Sequence, residues 1–176
     1  AHHIHFCIFP EVVYRQPPNP KYGDNDLRRV AIYGVRKSVH ADLQQRFNVQ
    51  AREAFGMTEI GSTLFAPLEA VEMVGSGSCG VPAAFRECRV VDDDGKDVAV
   101  GDIGELVVRG PNILLGYYNK PAATAESFFD DWFRTGDLFR QDENRFLYIV
   151  GRKKDMIRRS SENIAAREVE AALMLM

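Results

Sequence analysis

Nothing in this sequence marks a specialised environment. Its three cysteines, Cys7, Cys79 and Cys88, are an odd number with no Cys-x-x-Cys pair, a pattern that excludes a disulfide framework and a zinc-ligand set and fits a reducing, cytoplasmic setting. No apolar run approaches the roughly 20 residues that cross a bilayer as a helix. Positive charge is scarce as well. Against 25 Asp and Glu stand 22 Lys and Arg, a formal net charge of -3, which argues against the unspecific attraction to nucleic acid that a surplus of cations produces. An anionic ligand must then be met by a local group of cations. His2, His3 and His5 alternate with Ile4 and Phe6 in the manner of one strand face, a simpler reading than a metal cluster.

What is present is an ordinary globular composition, 45% hydrophobic and 27% charged over 176 residues. A chain of this size buries roughly 70% of its unfolded surface, enough for a real core. Ile4 to Phe9 and Arg29 to Tyr33 are apolar runs ended by Pro10 and Gly34, and both read as buried strands. Gln16 to Asp26, rich in Pro, Asn, Gly and Asp, reads as a loop. Ser38 is expected to cap a helix that carries Leu43 and Phe47 on one face, with Val49 to Glu53 extended after it. Strand, helix and strand in that order predict a parallel α/β unit.

After Gly75 the pattern changes to short β segments, Arg86 to Val91, Glu105 to Arg109 and Phe146 to Val150, with a hairpin turn at Asp92-Asp93-Asp94-Gly95. Lys120 to Phe129 reads as a helical interruption with Pro121 in its first turn. A basic stretch, Arg152 to Arg159, precedes a helix expected from about Ala166, whose apolar face of Val169, Leu173 and Met176 meets no stop signal and implies continuation.

Three segments carry chemistry. Phe55-Gly56-Met57-Thr58-Glu59 combines an aromatic ring, a glycine that lets backbone approach a ligand, a hydroxyl that can donate to phosphate and a carboxylate suited to Mg2+; alone it reads equally as a turn or helix cap. Trp132-Phe133-Arg134-Thr135-Gly136-Asp137 sets an acid after what reads as a tight turn, where two oxygens can accept from ribose hydroxyls. Gly151-Arg152-Lys153-Lys154-Asp155 gathers three cations beside a glycine, for an anionic ligand or as a solvated bend.

In order and spacing these segments, with GDIGELVVRGPNILLGYYNKPAATAESF between them, resemble the adenylate-forming superfamily of acyl-CoA synthetases, aryl-CoA ligases, luciferases and nonribosomal adenylation domains. The resemblance runs from about Leu27 to Met176. It implies a carboxylate-CoA ligase that uses ATP, Mg2+ and coenzyme A to form an acyl-adenylate and then a thioester, releasing pyrophosphate and AMP. By residue it implies Phe55 against adenine, with Gly34, Gly56 and Met57 lining the nucleotide, Thr58 on phosphate, Glu59 as the magnesium-associated acid, Asp137 and Arg152 on the ribose, and Lys154 as the hinge of a small C-terminal domain.

The same resemblance implies an α/β architecture: the end of a parallel-sheet subdomain over 1-74, a β-rich distorted barrel over 75-152, and the start of an α+β domain over 153-176. The family's phosphate-cradling loop belongs upstream of such a segment and its catalytic lysine downstream, so the chain alone is expected to be inactive. Ser160 and Ser161 stand where many members have two glycines facing the thiol, and Arg36 and Lys37 are unusual beside Gly34, as surface charges or as a sign of a polar acid. Gly61 would admit a bulky acyl group. The expected partners are a small carboxylic acid, ATP and CoA, with no nucleic acid; a homodimer is left open. The alternatives carried are an adenylation module that loads a carrier protein and a non-catalytic nucleotide-binding remnant.

Overall fold

In a computed structural model of the chain, residues 4-159 and 162-165 are described. They divide into two compact units, the first within residues 4-58 and 62-83 and the second within 59-61, 84-159 and 162-165.

The first unit is built on a sheet in the order β1 (Ile4–Cys7), β2 (Arg29–Ile32), β3 (Gln50–Met57), β4 (Gly61–Phe65) and β5 (Val81–Pro82). β1, β2 and β3 run parallel, so the expected α/β unit is present, with helix α2 (Lys37–Phe47) crossing between β2 and β3. A shorter helix, α1 (Pro10–Tyr14), follows β1 and starts on Pro10, where the missing N–H costs nothing. Val39, His40 and Leu43 recur at helical spacing and form the buried face of α2. Val39 and Leu43 pack with Ile32, Val35, Val49 and Ala51 into one core, where full burial of a side chain such as Ile32 or Leu43 contributes about 1.5–3 kcal/mol. Ser38 does not cap α2. Arg36 is the extended residue that precedes the helix, and Ser38 already lies inside the first turn. At the other end Asn48 takes a left-handed conformation and gives its N–H to Gln44 and Gln45 carbonyls.

His40 is sealed in this core at 1% exposure. Its Nε2 lies 3.0 Å from the Ala51 carbonyl, and its Nδ1 accepts the Gly75 N–H at 3.1 Å. An Nδ1 that accepts carries no proton, so the nearby Glu53 carboxylate, 3.8 Å away, faces a neutral ring rather than an ion-pair partner.

The second unit is an antiparallel sheet of β6 (Glu87–Val91), β7 (Ile103–Arg109), β8 (Phe128–Phe129), β9 (Trp132–Gln141) and β10 (Leu147–Arg152), in the order β10-β9-β7-β6 with β8 on β9. It is the β-rich half that the turn spacing predicts. After β6 the chain reverses at Asp92, whose carboxylate accepts from the N–H groups of Asp94 and Lys96, the expected turn. The predicted helix over 120-129 is shorter: α3 covers Pro121–Glu126 and ends where Ser127 returns its hydroxyl to the Ala123 carbonyl. Phe128 and Phe129 then join the sheet opposite Phe133 and Trp132, because two adjacent aromatic rings gain more from burial there than from a helix face. A hairpin of β11 (Met156–Arg159) and β12 (Glu162–Ala165) follows. The helix expected from Ala166, residues Ser160 and Ser161, and His2 and His3 lie outside the described residues.

Burial holds the His40 imidazole below its ordinary pKa, with the charge of Arg52 adding to the effect and the bond to Ala51 opposing it. The unfolded chain, with His near 6.5, therefore takes up the proton first. His40 contributes stability above about pH 6.5 that is lost as pH falls below that value. Thermal unfolding followed from pH 7.5 to 5.5 is expected to show a falling midpoint that flattens in His40→Asn; parallel profiles for the two proteins would contradict this role.

Candidate functional site

Phe55, Gly56 and Met57 are the last residues of β3, and Thr58 to Ile60 turn the chain into β4. The segment is thus a strand end followed by a turn between strands, and not a helix cap. Phe55 is buried, Met57 half-buried and Thr58 exposed. Gly34 follows β2 with a φ of 68°, a left-handed conformation that explains the glycine. The charge of Arg36 is committed: its backbone N–H and its guanidinium all bond the carboxylate of Glu11 on α1, with a bidentate closest contact of 2.9 Å. That pairing accounts for Arg36 as a structural cation and removes it as a sign of an acidic substrate. Gly61, expected to make room for an acyl group, has a φ of 61°, so its backbone alone asks for glycine.

In the second unit, Asp137 and Arg152 face each other directly across β9 and β10, and Arg152 Nε donates to Asp137 Oδ1 at 3.0 Å. Fifteen positions apart in sequence, the two residues expected to share a ribose are one pair in space. Asp137 is 3% exposed while the Arg152 side chain is 53% exposed, so the acid lies buried and the cation reaches the surface. Burial pushes the Asp137 carboxyl up; Arg152 opposes this, and the charges of Asp155 and Glu105 add to it.

The tight turn expected at Thr135-Gly136-Asp137 is instead a bulge inside β9. Between the pairs Glu105–Leu138 and Val107–Arg134, Leu106 alone faces Thr135, Gly136 and Asp137. Gly136 has a φ of 70° and open space around it, so glycine serves the backbone there and not the packing. Thr135 locks the bulge: its hydroxyl donates to the Leu106 carbonyl at 2.7 Å and accepts the Asp137 N–H at 3.1 Å. Bulges of this kind re-aim a side chain, and here the side chain is Asp137.

The residue that organises this end of the sheet is one that sequence reasoning missed. Glu105 on β7 is 4% exposed. Its Oε1 accepts the Gly136 N–H at 3.1 Å, and its Oε2 accepts from Arg134 Nη2 at 2.9 Å and Lys153 Nζ at 3.1 Å. Burial raises its carboxyl, but the bonds from Arg134 and Lys153 outweigh this and hold it below the usual carboxylate range. Lys153 also reaches Asp93 at 2.6 Å. The chain is therefore tied to the sheet up to Lys153, and Lys154, in a single turn of 3-10 helix between β10 and β11, is exposed. A carboxylate inside the apolar run Ile103 to Val108 was the available signal, since such a residue is buried only where donors meet it. Glu105→Ala would leave two cations and an N–H without their acceptor, and is expected to lower the stability of the second unit by about 2–4 kcal/mol in denaturant titration. A loss within a few tenths of a kcal/mol would show that the cluster is only a surface arrangement.

Residues 13–118 match the family described as AMP-binding enzyme. A long-chain-fatty-acid–CoA ligase of Salmonella typhimurium is 44% identical over 126 residues, which are 69% of this chain and 22% of that protein. A sulfoacetate–CoA ligase of Cupriavidus necator is 40% identical over 137 residues, 77% of this chain and 26% of that protein. This chain therefore spans about a quarter of the length of these relatives. Among solved structures, an amide bond synthetase from Marinactinospora thermotolerans superposes with a TM-score of 0.82 at 27% identity, over 94% of this chain and 35% of that one. An O-succinylbenzoate coenzyme A synthetase from Bacillus subtilis, in complex with ATP and magnesium ion, superposes with a TM-score of 0.80 at 25% identity, over 97% of this chain and 36% of that one. By this family match over more than half of its length, the chain belongs to the AMP-binding enzyme family.

Proposed function

We propose that the chain is part of an ATP-dependent carboxylate–CoA ligase. The observation that carries the reading is the Asp137–Arg152 pair: a buried carboxylate held on a bulge, with a half-exposed guanidinium beside it, which suits a sugar bearing neighbouring hydroxyls next to a phosphate. In this reading Asp137 accepts from the ribose hydroxyls and Arg152 donates to the ribose. Phe55 contributes the aromatic surface for adenine, flanked by Gly34, Gly56 and Met57, and the exposed Thr58 donates to phosphate. Glu59, a half-buried single carboxylate, fits Mg2+ that arrives with ATP, because that ion keeps phosphate oxygens and waters as its other ligands. When bound, the ion supplies charge neutralisation at the phosphates.

In the first half-reaction a carboxylate oxygen of the acid bonds the α-phosphorus of ATP and the bond to pyrophosphate breaks. In the second, a thiolate sulfur bonds the acyl carbon and AMP leaves, with CoA as the thiol. Lys154, exposed and directly after the anchored Lys153, is where a rotation between the two half-reactions would begin. The two relatives of 40% identity or more named above are both CoA ligases by name and differ in the acid. The substrate class is accordingly a carboxylic acid, and the setting cytoplasmic.

The test is carboxylate-dependent exchange of pyrophosphate into ATP, in the intact protein that carries this chain and in the 176-residue chain alone. Exchange with at least one acid is expected in the intact protein and none in the chain alone. Absence of exchange across a broad acid panel in the intact protein would overturn the ligase reading.

A further inference from the structure

The segment between β7 and α3, residues 110–120, has no regular structure, yet it is fastened to the turn that carries Glu59. The Leu114 N–H donates to the Glu59 carbonyl at 2.7 Å, and the Tyr117 hydroxyl donates to Glu59 Oε1 at 3.1 Å. Arg86 adds a third bond, from Nη2 to the Ile60 carbonyl at 3.0 Å.

Tyr117 is itself held in place. Its neighbours Leu115 and Tyr118 are 101% and 90% exposed, while Tyr117 turns inward and is half-buried. Its N–H donates to Thr124 Oγ1 on α3 at 2.9 Å, and that hydroxyl donates in turn to the Lys120 carbonyl at 3.0 Å. Gly116 makes the turn possible, because a Cβ there would stand 3.0 Å from the Thr124 side chain. The chain of contacts runs from α3 through Thr124 and Tyr117 to one oxygen of Glu59.

We propose that Tyr117 is a positioning residue for Glu59, fixing the carboxylate so that its other oxygen is presented to the metal ion of Mg-ATP. The inference rests on the reading of Glu59 given above. A carboxylate on a turn rotates freely unless one oxygen is bonded, and Mg2+ demands near-octahedral geometry, so a donor on Oε1 lowers the cost of aligning Oε2.

The experiment is calorimetric binding of Mg-ATP, of ATP with the metal chelated, and of AMP to the intact protein and three variants. Tyr117→Phe keeps the ring and loses the donor; it is expected to weaken Mg-ATP binding about tenfold and leave AMP and metal-free ATP unchanged. Thr124→Val, which frees the Tyr117 backbone without touching its hydroxyl, is expected to give a smaller loss of the same kind. Glu59→Gln separates the two claims. Loss of the Mg2+ contribution in Glu59→Gln together with full affinity in Tyr117→Phe overturns the positioning role alone. Unchanged Mg-ATP affinity in Glu59→Gln overturns the reading of Glu59 and the role of Tyr117 with it. An equal loss for AMP and Mg-ATP in Tyr117→Phe marks a general structural effect and also overturns it.

Discussion

A carboxylate taken out of water must be given donors, and in the antiparallel unit that demand falls on Glu105. Three residues answer it. Arg134 comes from the start of β9, the Gly136 N–H from the bulge, and Lys153 from the residue after β10, while β7 supplies the acid itself. Meeting this one charge fixes where the bulge occurs and how far β10 remains tied to the sheet. Asp137 is one residue beyond the Gly136 N–H, and Arg152 is one residue before Lys153, so the pair inherits its geometry from the Glu105 cluster. Asp137 is thus held both by the backbone of the bulge and by its side-chain partner Arg152.

The parallel unit was legible in the sequence because its signals are local. Apolar runs ended by Pro10 and Gly34, and a helical repeat through Leu43 and Phe47, translate directly into β1, β2 and α2. The error at Ser38 is a two-residue shift: a residue with good capping chemistry lost to Arg36, whose extended backbone and Glu11 partner start the helix earlier. The antiparallel unit was legible in outline only. β9 is ten residues long, yet its centre, Arg134 to Asp137, is polar and contains glycine, which locally reads as a turn. Pairing with β7 on both sides of the bulge overrides that local preference, and such pairing is invisible to a reading along the chain.

The candidate site shows the same division. The residue types at Phe55 to Glu59, Asp137 and Arg152 were recognisable because their chemistry is distinctive. What was missed, Glu105, Thr135, Lys153 and Tyr117, acts by orienting the others. Each becomes meaningful only through a partner far away in the sequence, such as Glu59 for Tyr117. His40 belongs to this class too: its tautomer is set by Gly75 and Ala51, neither adjacent to it.

The central claim is that Asp137, held on its bulge, accepts from the ribose of the nucleotide. It is tested most directly by calorimetric binding of AMP, 2′-deoxy-AMP and 3′-deoxy-AMP to the intact protein and to Asp137→Asn. Removal of a hydroxyl is expected to cost the unaltered protein about tenfold in affinity and to cost Asp137→Asn little, because the acceptor is already impaired. Equal losses in both proteins would contradict the claim and assign the sugar to other residues.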